Sequence, residues 1–79
     1  MFYVYILECS DTTLYVGSTK DIKKRLHEHN NLKSGAHYTK IRRPVVLRYQ
    51  EEYLTYSQVR AREGELKRLS RERKLALFA

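Results

Sequence analysis

The 79-residue sequence has no tryptophan, one cysteine, one proline and three glycines. A lone Cys9 excludes an intrachain disulfide and a cysteine-based zinc site. No apolar run approaches the roughly 18 residues of a membrane span. Met1 leads straight into Phe2-Tyr3-Val4-Tyr5, without the basic start and cleavage site of a signal peptide, so a reducing cytoplasm is the expected compartment. Acids are also scarce, nine against sixteen Lys and Arg, for a net charge of +7 with the histidines neutral. Residues 1–22 carry a net of −2, from Lys20 against Glu8, Asp11 and Asp21, and the remainder carries +9. What is abundant is tyrosine, with seven copies, and a basic, tyrosine-rich chain suits a polyanion such as nucleic acid. The competing view is a solvated basic face kept for solubility. The length and the 42% hydrophobic content fit one globular domain, residues 1–79, with a small core.

No repeat, linker or low-complexity tract interrupts the chain. Phe2 to Leu7 is a continuous apolar and aromatic run, read as a buried strand. Ser10-Asp11-Thr12-Thr13 is turn chemistry, and Leu14-Tyr15-Val16-Gly17 a second strand, so residues 2–17 read as a hairpin. Thr19 or Asp21 caps a helix running to about Asn30. Asn31 to Arg43 reads as a polar, basic connection ending at Pro44, and Val45 to Tyr49 as a third strand. Ser57 caps a second helix ending near Leu69, and Ser70 a last helix through Phe78. The order β-β-α-β-α-α predicts an α/β (α+β) fold, a small, mostly antiparallel three-stranded sheet flanked by helices.

Several polar side chains fall on apolar stripes. Ile22, Leu26 and His29 follow i, i+4, i+7, with Arg25 beside Ile22. In the second helix Glu63 lies between Val59 and Leu66, where an apolar residue is expected. An unpaired carboxylate there costs several kcal/mol, so it needs a cation, a metal or the helix edge. Lys67, at i+4, offers the plainest answer. Arg25 reads equally as an edge residue with its head in water, and His29 as a histidine favoured by the helix C-terminus. Tyr5 and Tyr15 share a sheet face with a three-residue hairpin loop and lie on opposite faces with a two- or four-residue loop, which the sequence leaves open.

The same residues carry a family resemblance. Tyr3-Val4-Tyr5, followed ten residues later by Tyr15-Val16-Gly17, resembles the paired motif of the GIY-YIG nuclease superfamily. The stretch from Tyr15 to Asn30 is similar to that superfamily's second strand and first helix, with its arginine on Arg25 and the following His or Tyr on His29. Ala61-Arg62-Glu63-Gly64-Glu65-Leu66-Lys67 resembles the later helix, whose metal-binding glutamate falls on Glu63. Gly35-Ala36-His37-Tyr38-Thr39 with Arg42-Arg43-Pro44-Val45 resembles the small stand-alone bacterial branch. Three departures stand out. Tyr3 replaces the first motif's glycine, an Asn that some members carry after the glutamate has no match, and Thr12 stands where glycine eases a tight turn.

The resemblance implies a metal-dependent endonuclease that hydrolyses DNA phosphodiester bonds, structure-specific or weakly sequence-selective, with a place in DNA repair or recombination. It implies one Mg²⁺ or Mn²⁺ held by Glu63, water and phosphate oxygens. Tyr5 is the first choice of general base, its ordinary pKa of about 10 needing help from Arg25, the metal or His29 as proton acceptor. Tyr15 orients the water or Tyr5, Arg25 neutralises the phosphate, and Gly17 lets backbone approach the substrate. His37, Tyr38, Lys40, Arg42 and Arg43 are expected to grip the phosphate backbone, with Tyr38 free to stack on a base. The alternatives are a nucleic-acid-binding module of weak or no activity, working with a protein partner in a repair complex, and a small basic protein with an acidic protein partner.

Overall fold

The computed structural model describes residues 1–78. Its elements are β1 (Phe2–Glu8), β2 (Leu14–Thr19), α1 (Ile22–Asn31), α2 (His37–Lys40), β3 (Val46–Tyr53), α3 (Tyr56–Arg68) and α4 (Arg71–Ala76). The sheet order is β2-β1-β3 with both pairings antiparallel, so β1 is the central strand. That position accounts for its unbroken apolar run. Val4, Tyr5, Ile6 and Leu7 are all buried because helices cover both faces. Val4, Ile6 and Val16 pack against Val59 and Leu66 of α3, while Tyr5 and Leu7 face Ile22 and Leu26 of α1 and Tyr38 of α2.

The hairpin register decides which side chains meet. Cys9 N–H donates to the Thr13 carbonyl at 2.9 Å, closing a three-residue loop of Ser10, Asp11 and Thr12. Thr12 takes the left-handed conformation, φ 67°, that such loops require at their third residue. The glycine absent from this position is replaced by a strained threonine. Tyr5 therefore pairs with Gly17, and Tyr15, two residues away, shares their face.

β2 runs on to Thr19 rather than Gly17 and α4 stops at Ala76 rather than Phe78, and three further elements differ from expectation. The basic connection contains a helical turn, α2, whose preceding Gly35 packs on α1 so closely that a Cβ would lie 2.5 Å from the Glu28 carbonyl oxygen. β3 runs to Tyr53 rather than Tyr49, because β1 offers pairing partners as far as Phe2. Glu51 anchors that extension beneath α3, accepting from Arg62 Nε at 2.8 Å, Arg62 Nη2 at 3.0 Å, Tyr53 Oη at 2.6 Å and Tyr49 Oη. The Arg62 guanidinium, helped by the two phenols, holds the Glu51 pKa down to about 2. Finally, α3 is capped by Thr55 instead of Ser57. Thr55 and Gln58 exchange side chain-to-backbone bonds of 3.2 Å in a capping box, and Ser57 lies inside the helix.

Candidate active site

Gly17 shapes the site by what it lacks. Tyr5 lies across it, and a Cβ there would fall 2.5 Å from the phenol oxygen and 2.7 Å from its ring carbon. The expected backbone approach to substrate is thus taken up by the Tyr5 ring itself. The hydroxyl reaches across β2 to His29 Nε2 at 2.8 Å. His29 is fully buried, and its Nδ1 meets Thr39 Oγ1 at 2.7 Å. Thr39 Oγ1 also lies 2.9 Å from the Ala36 carbonyl, and with its hydroxyl proton directed there it accepts from His29 Nδ1–H. In that tautomer Nε2 is bare and Tyr5 is the donor. A directed chain runs from Tyr5 through His29 to Thr39 and the Ala36 carbonyl.

The surroundings keep the ring neutral. Burial, with the positive charges of Arg25 and Arg43, lowers the His29 pKa to about 4, so the ring is neutral at physiological pH. The dipole-favoured cation that a helix C-terminus suggests is absent because burial outweighs it. Burial raises the Tyr5 pKa to about 12, against the nearby Arg25 guanidinium, which favours the phenolate. Arg25 is held by Glu28 Oε1 at 3.2 Å and by the Ser34 carbonyl at 3.0 Å, and its side chain stays 27% exposed, within reach of an incoming anion.

Tyr15 lies edge-on to His29, ring centroids 5.2 Å apart, and stacks on Tyr38 at 5.8 Å. The Arg42 guanidinium covers Tyr38 at 3.9 Å and is itself tied to Asp11 Oδ2 and the Tyr38 carbonyl, both at 3.0 Å. Tyr38 is therefore in contact with both the Tyr15 ring and the Arg42 guanidinium. Arg43 is also committed. Its Nη2 donates to the Leu32 carbonyl at 2.6 Å and the Glu28 carbonyl at 3.1 Å, and its Nε to the His29 carbonyl, so it closes the C-terminus of α1. His37 is exposed and Lys40 half-buried.

Glu63 stands on the other side of the sheet. Ser18 pairs with Val4 and faces α3, and its hydroxyl donates to Glu63 Oε1 at 2.7 Å. Lys67 Nζ lies 2.8 Å from Oε2. The inward carboxylate thus has the expected lysine and, in addition, a serine 45 residues away. Burial raises its pKa, but the bonds from Lys67 and Ser18 and the charge of Arg60 prevail and hold it below the ordinary carboxylate range. Tyr5 and Glu63 lie on opposite faces of the sheet. The Glu63 charge is still felt at Tyr5, where it opposes phenol ionisation.

Among the described residues no three His, Cys, Asp or Glu side chains gather into a metal cage. A hydrated Mg²⁺ or Mn²⁺ needs only one or two carboxylates, with water and phosphate oxygens completing its shell. Glu63 fits that demand. It is ionised, fixed by Ser18, and already carries a cation on Oε2, the ammonium of a 56% exposed lysine able to swing away.

Residues 1–76 match the GIY-YIG catalytic domain. The chain belongs to the GIY-YIG family. It is 53% identical to a UPF0213 protein of Staphylococcus saprophyticus over 77 residues, covering 98% of this chain and 93% of that one. It is 57% identical to a UPF0213 protein of Syntrophus aciditrophicus over 76 residues, 96% and 87% of the two chains. The solution NMR structure of a UPF0213 protein from Bacillus halodurans superposes with a TM-score of 0.61 at 38% identity, covering 98% of this chain and 82% of that one. Within this GIY-YIG domain the motif residues Tyr5, Tyr15, Gly17, Arg25 and His29 surround one hydroxyl–imidazole pair. Glu63 lies on the other face of the sheet, held by Ser18, and Arg42 and Arg43 serve as internal ties. Thr39 and Ser18, which no spacing in the sequence marks, complete the arrangement with Glu28, which stands at i+3 from Arg25.

Proposed function

We propose that this GIY-YIG domain is a divalent-metal-dependent endonuclease that hydrolyses DNA phosphodiester bonds with structural or weak sequence selectivity. The observation that carries this reading is the Tyr5–His29–Thr39 chain, at 2.8 and 2.7 Å, beside a partly exposed arginine. At neutral pH a phenol of pKa about 12 is almost never ionised, so a free tyrosinate is not the base. Tyr5 instead accepts the proton of the attacking water as it hands its own to His29 Nε2. Thr39 fixes the ring for that transfer by holding Nδ1–H. Arg25 takes the non-bridging phosphate oxygens as a fork of donors. Tyr15 excludes water from the far side of His29. A divalent ion on Glu63 supplies neutralisation of the charge that develops on the phosphate and leaving oxygen.

The direct test is a cleavage assay on branched, nicked and single-stranded DNA with Mg²⁺ or Mn²⁺, comparing wild type with Glu63→Gln. Wild type is expected to cut and Glu63→Gln to be inactive, since a neutral amide is a far poorer ligand for a hard cation. Full cleavage by Glu63→Gln would refute the metal role. The Lys67–Glu63 ion pair favours one competing reading, a DNA-binding module without activity, and wild type that binds DNA but cuts none of these substrates would establish it.

A further inference from the structure

A hollow of about 200 Å³ opens between the N-terminal half of α3 and the adjoining ends of β1 and β2, lined by Phe2, Ser18, Thr19, Lys20, Tyr56 and Val59. It borders the candidate site directly, because Ser18 is the residue whose hydroxyl holds Glu63. Val59 is buried at its base. Two aromatic rings form a corner, Phe2 and Tyr56, with centroids 5.8 Å apart and planes tilted by 59°. Tyr56 is 54% exposed, a large ring left open beside an apolar floor. Two cations stand over these rings, Lys20 Nζ at 5.4 Å from the Phe2 centroid and Arg60 Cζ at 5.5 Å from that of Tyr56. Arg60 Nη1 also donates to the Tyr56 hydroxyl at 2.8 Å. Among the described residues neither Lys20 nor Arg60 is in an ion pair with a carboxylate.

We propose that this hollow is a nucleotide subsite, holding one unstacked base of the bound DNA strand against Tyr56 while Lys20 and Arg60 face its adjoining phosphates. The inference rests on the nuclease reading and adds to it a second contact point beside Glu63. Planar aromatic faces next to unpaired cations are the combination that recognises a base joined to phosphates. Charge complementarity selects this occupant over a purely apolar one, which would bring no anion to the Lys20 ammonium or the Arg60 guanidinium. Every base has a π-face, so the subsite accepts any base and sets position along the strand rather than sequence.

The test is metal-free binding, so cleavage plays no part in it. Fluorescence anisotropy with EDTA would compare a labelled thymidine oligonucleotide with an abasic strand of equal length. The proteins are wild type, Tyr56→Ala, Tyr56→Phe and Lys20→Gln. Tyr56→Ala should weaken binding of the thymidine strand about tenfold and leave the abasic strand unchanged. Tyr56→Phe should bind both like wild type, because it keeps the ring. Lys20→Gln should weaken both strands and lower the salt slope by about one unit. Equal loss on both strands for Tyr56→Ala, or no loss, overturns the subsite. If Tyr56→Ala does not fold, the subsite stands or falls on Lys20→Gln, and an unchanged salt slope overturns it. Failure of the nuclease reading appears elsewhere, as absence of cleavage by wild type in Mg²⁺.

Discussion

At the scale of single residues, the site depends on a histidine kept neutral and a glycine kept bare. The folded pKa of His29, about 4, lies below its unfolded value of about 6.5. The unfolded chain therefore binds the proton more readily, and stability is full above about pH 6.5 and lost as pH falls toward 4. The loss expected from this residue is on the order of 3 kcal/mol by pH 4. Urea unfolding of wild type and His29→Gln across that range checks it. The variant should be weaker at pH 7 but show a flatter decline between pH 6.5 and 4.5, and parallel declines would mean His29 is not the titrating group. Gly17→Ala should cost about 1–3 kcal/mol and displace Tyr5 from His29, since its Cβ would overlap the phenol at 2.5 Å. Thermal unfolding together with a nicking assay reads both effects, and a stable, fully active Gly17→Ala would show that Tyr5 does not need to lie over this position. Thr39 and Ser18 were illegible because their partners stand 10 and 45 residues away, whereas the motif tyrosines, Arg25, His29 and Glu63 are marked by local spacing.

At the scale of elements, local signals and tertiary contacts divided the work. α1 and α4 begin at Asp21 and Ser70, whose side chains accept from Lys24 N–H and Arg73 N–H as short polar residues before helices do. The second half of β3, Gln50-Glu51-Glu52, has poor strand character and is extended only by β1 and by the Arg62 clamp on Glu51, both non-local. The turn α2 is equally non-local, since Gly35 against α1 and the Arg43 fork on α1 carbonyls hold it in place. Arg43→Ala should therefore destabilise the fold by about 1–3 kcal/mol, through carbonyls left without their charged donor. A basic residue that served only DNA would leave the unfolding midpoint unchanged. Gly64 is the opposite case. A Cβ there would meet only Arg68 Nη1, at 3.5 Å, so Gly64→Ala should stabilise α3 by about 0.5–1 kcal/mol. A lower unfolding midpoint for that variant would mean that something needs the bare helix backbone at this position.

At the scale of the whole molecule, the net charge of +7 and the site geometry point the same way. DNA affinity should fall steeply with salt, and Lys40→Gln should reduce the slope by about one unit without moving the unfolding midpoint. An unchanged slope would make Lys40 a solvated surface residue. On the proposed reading Tyr5, polarised by His29, takes the proton of the attacking water while Glu63, on the other face of the sheet, holds the ion that serves the phosphate. The most direct measurement is the single-turnover rate of DNA cleavage in Mg²⁺ for wild type and Tyr5→Phe, which removes one oxygen atom. Wild type should cut, and Tyr5→Phe should be slower by roughly 10²-fold or more, the range typical of general-base catalysis, while remaining folded and binding DNA. Cleavage by Tyr5→Phe at the wild-type rate would contradict it.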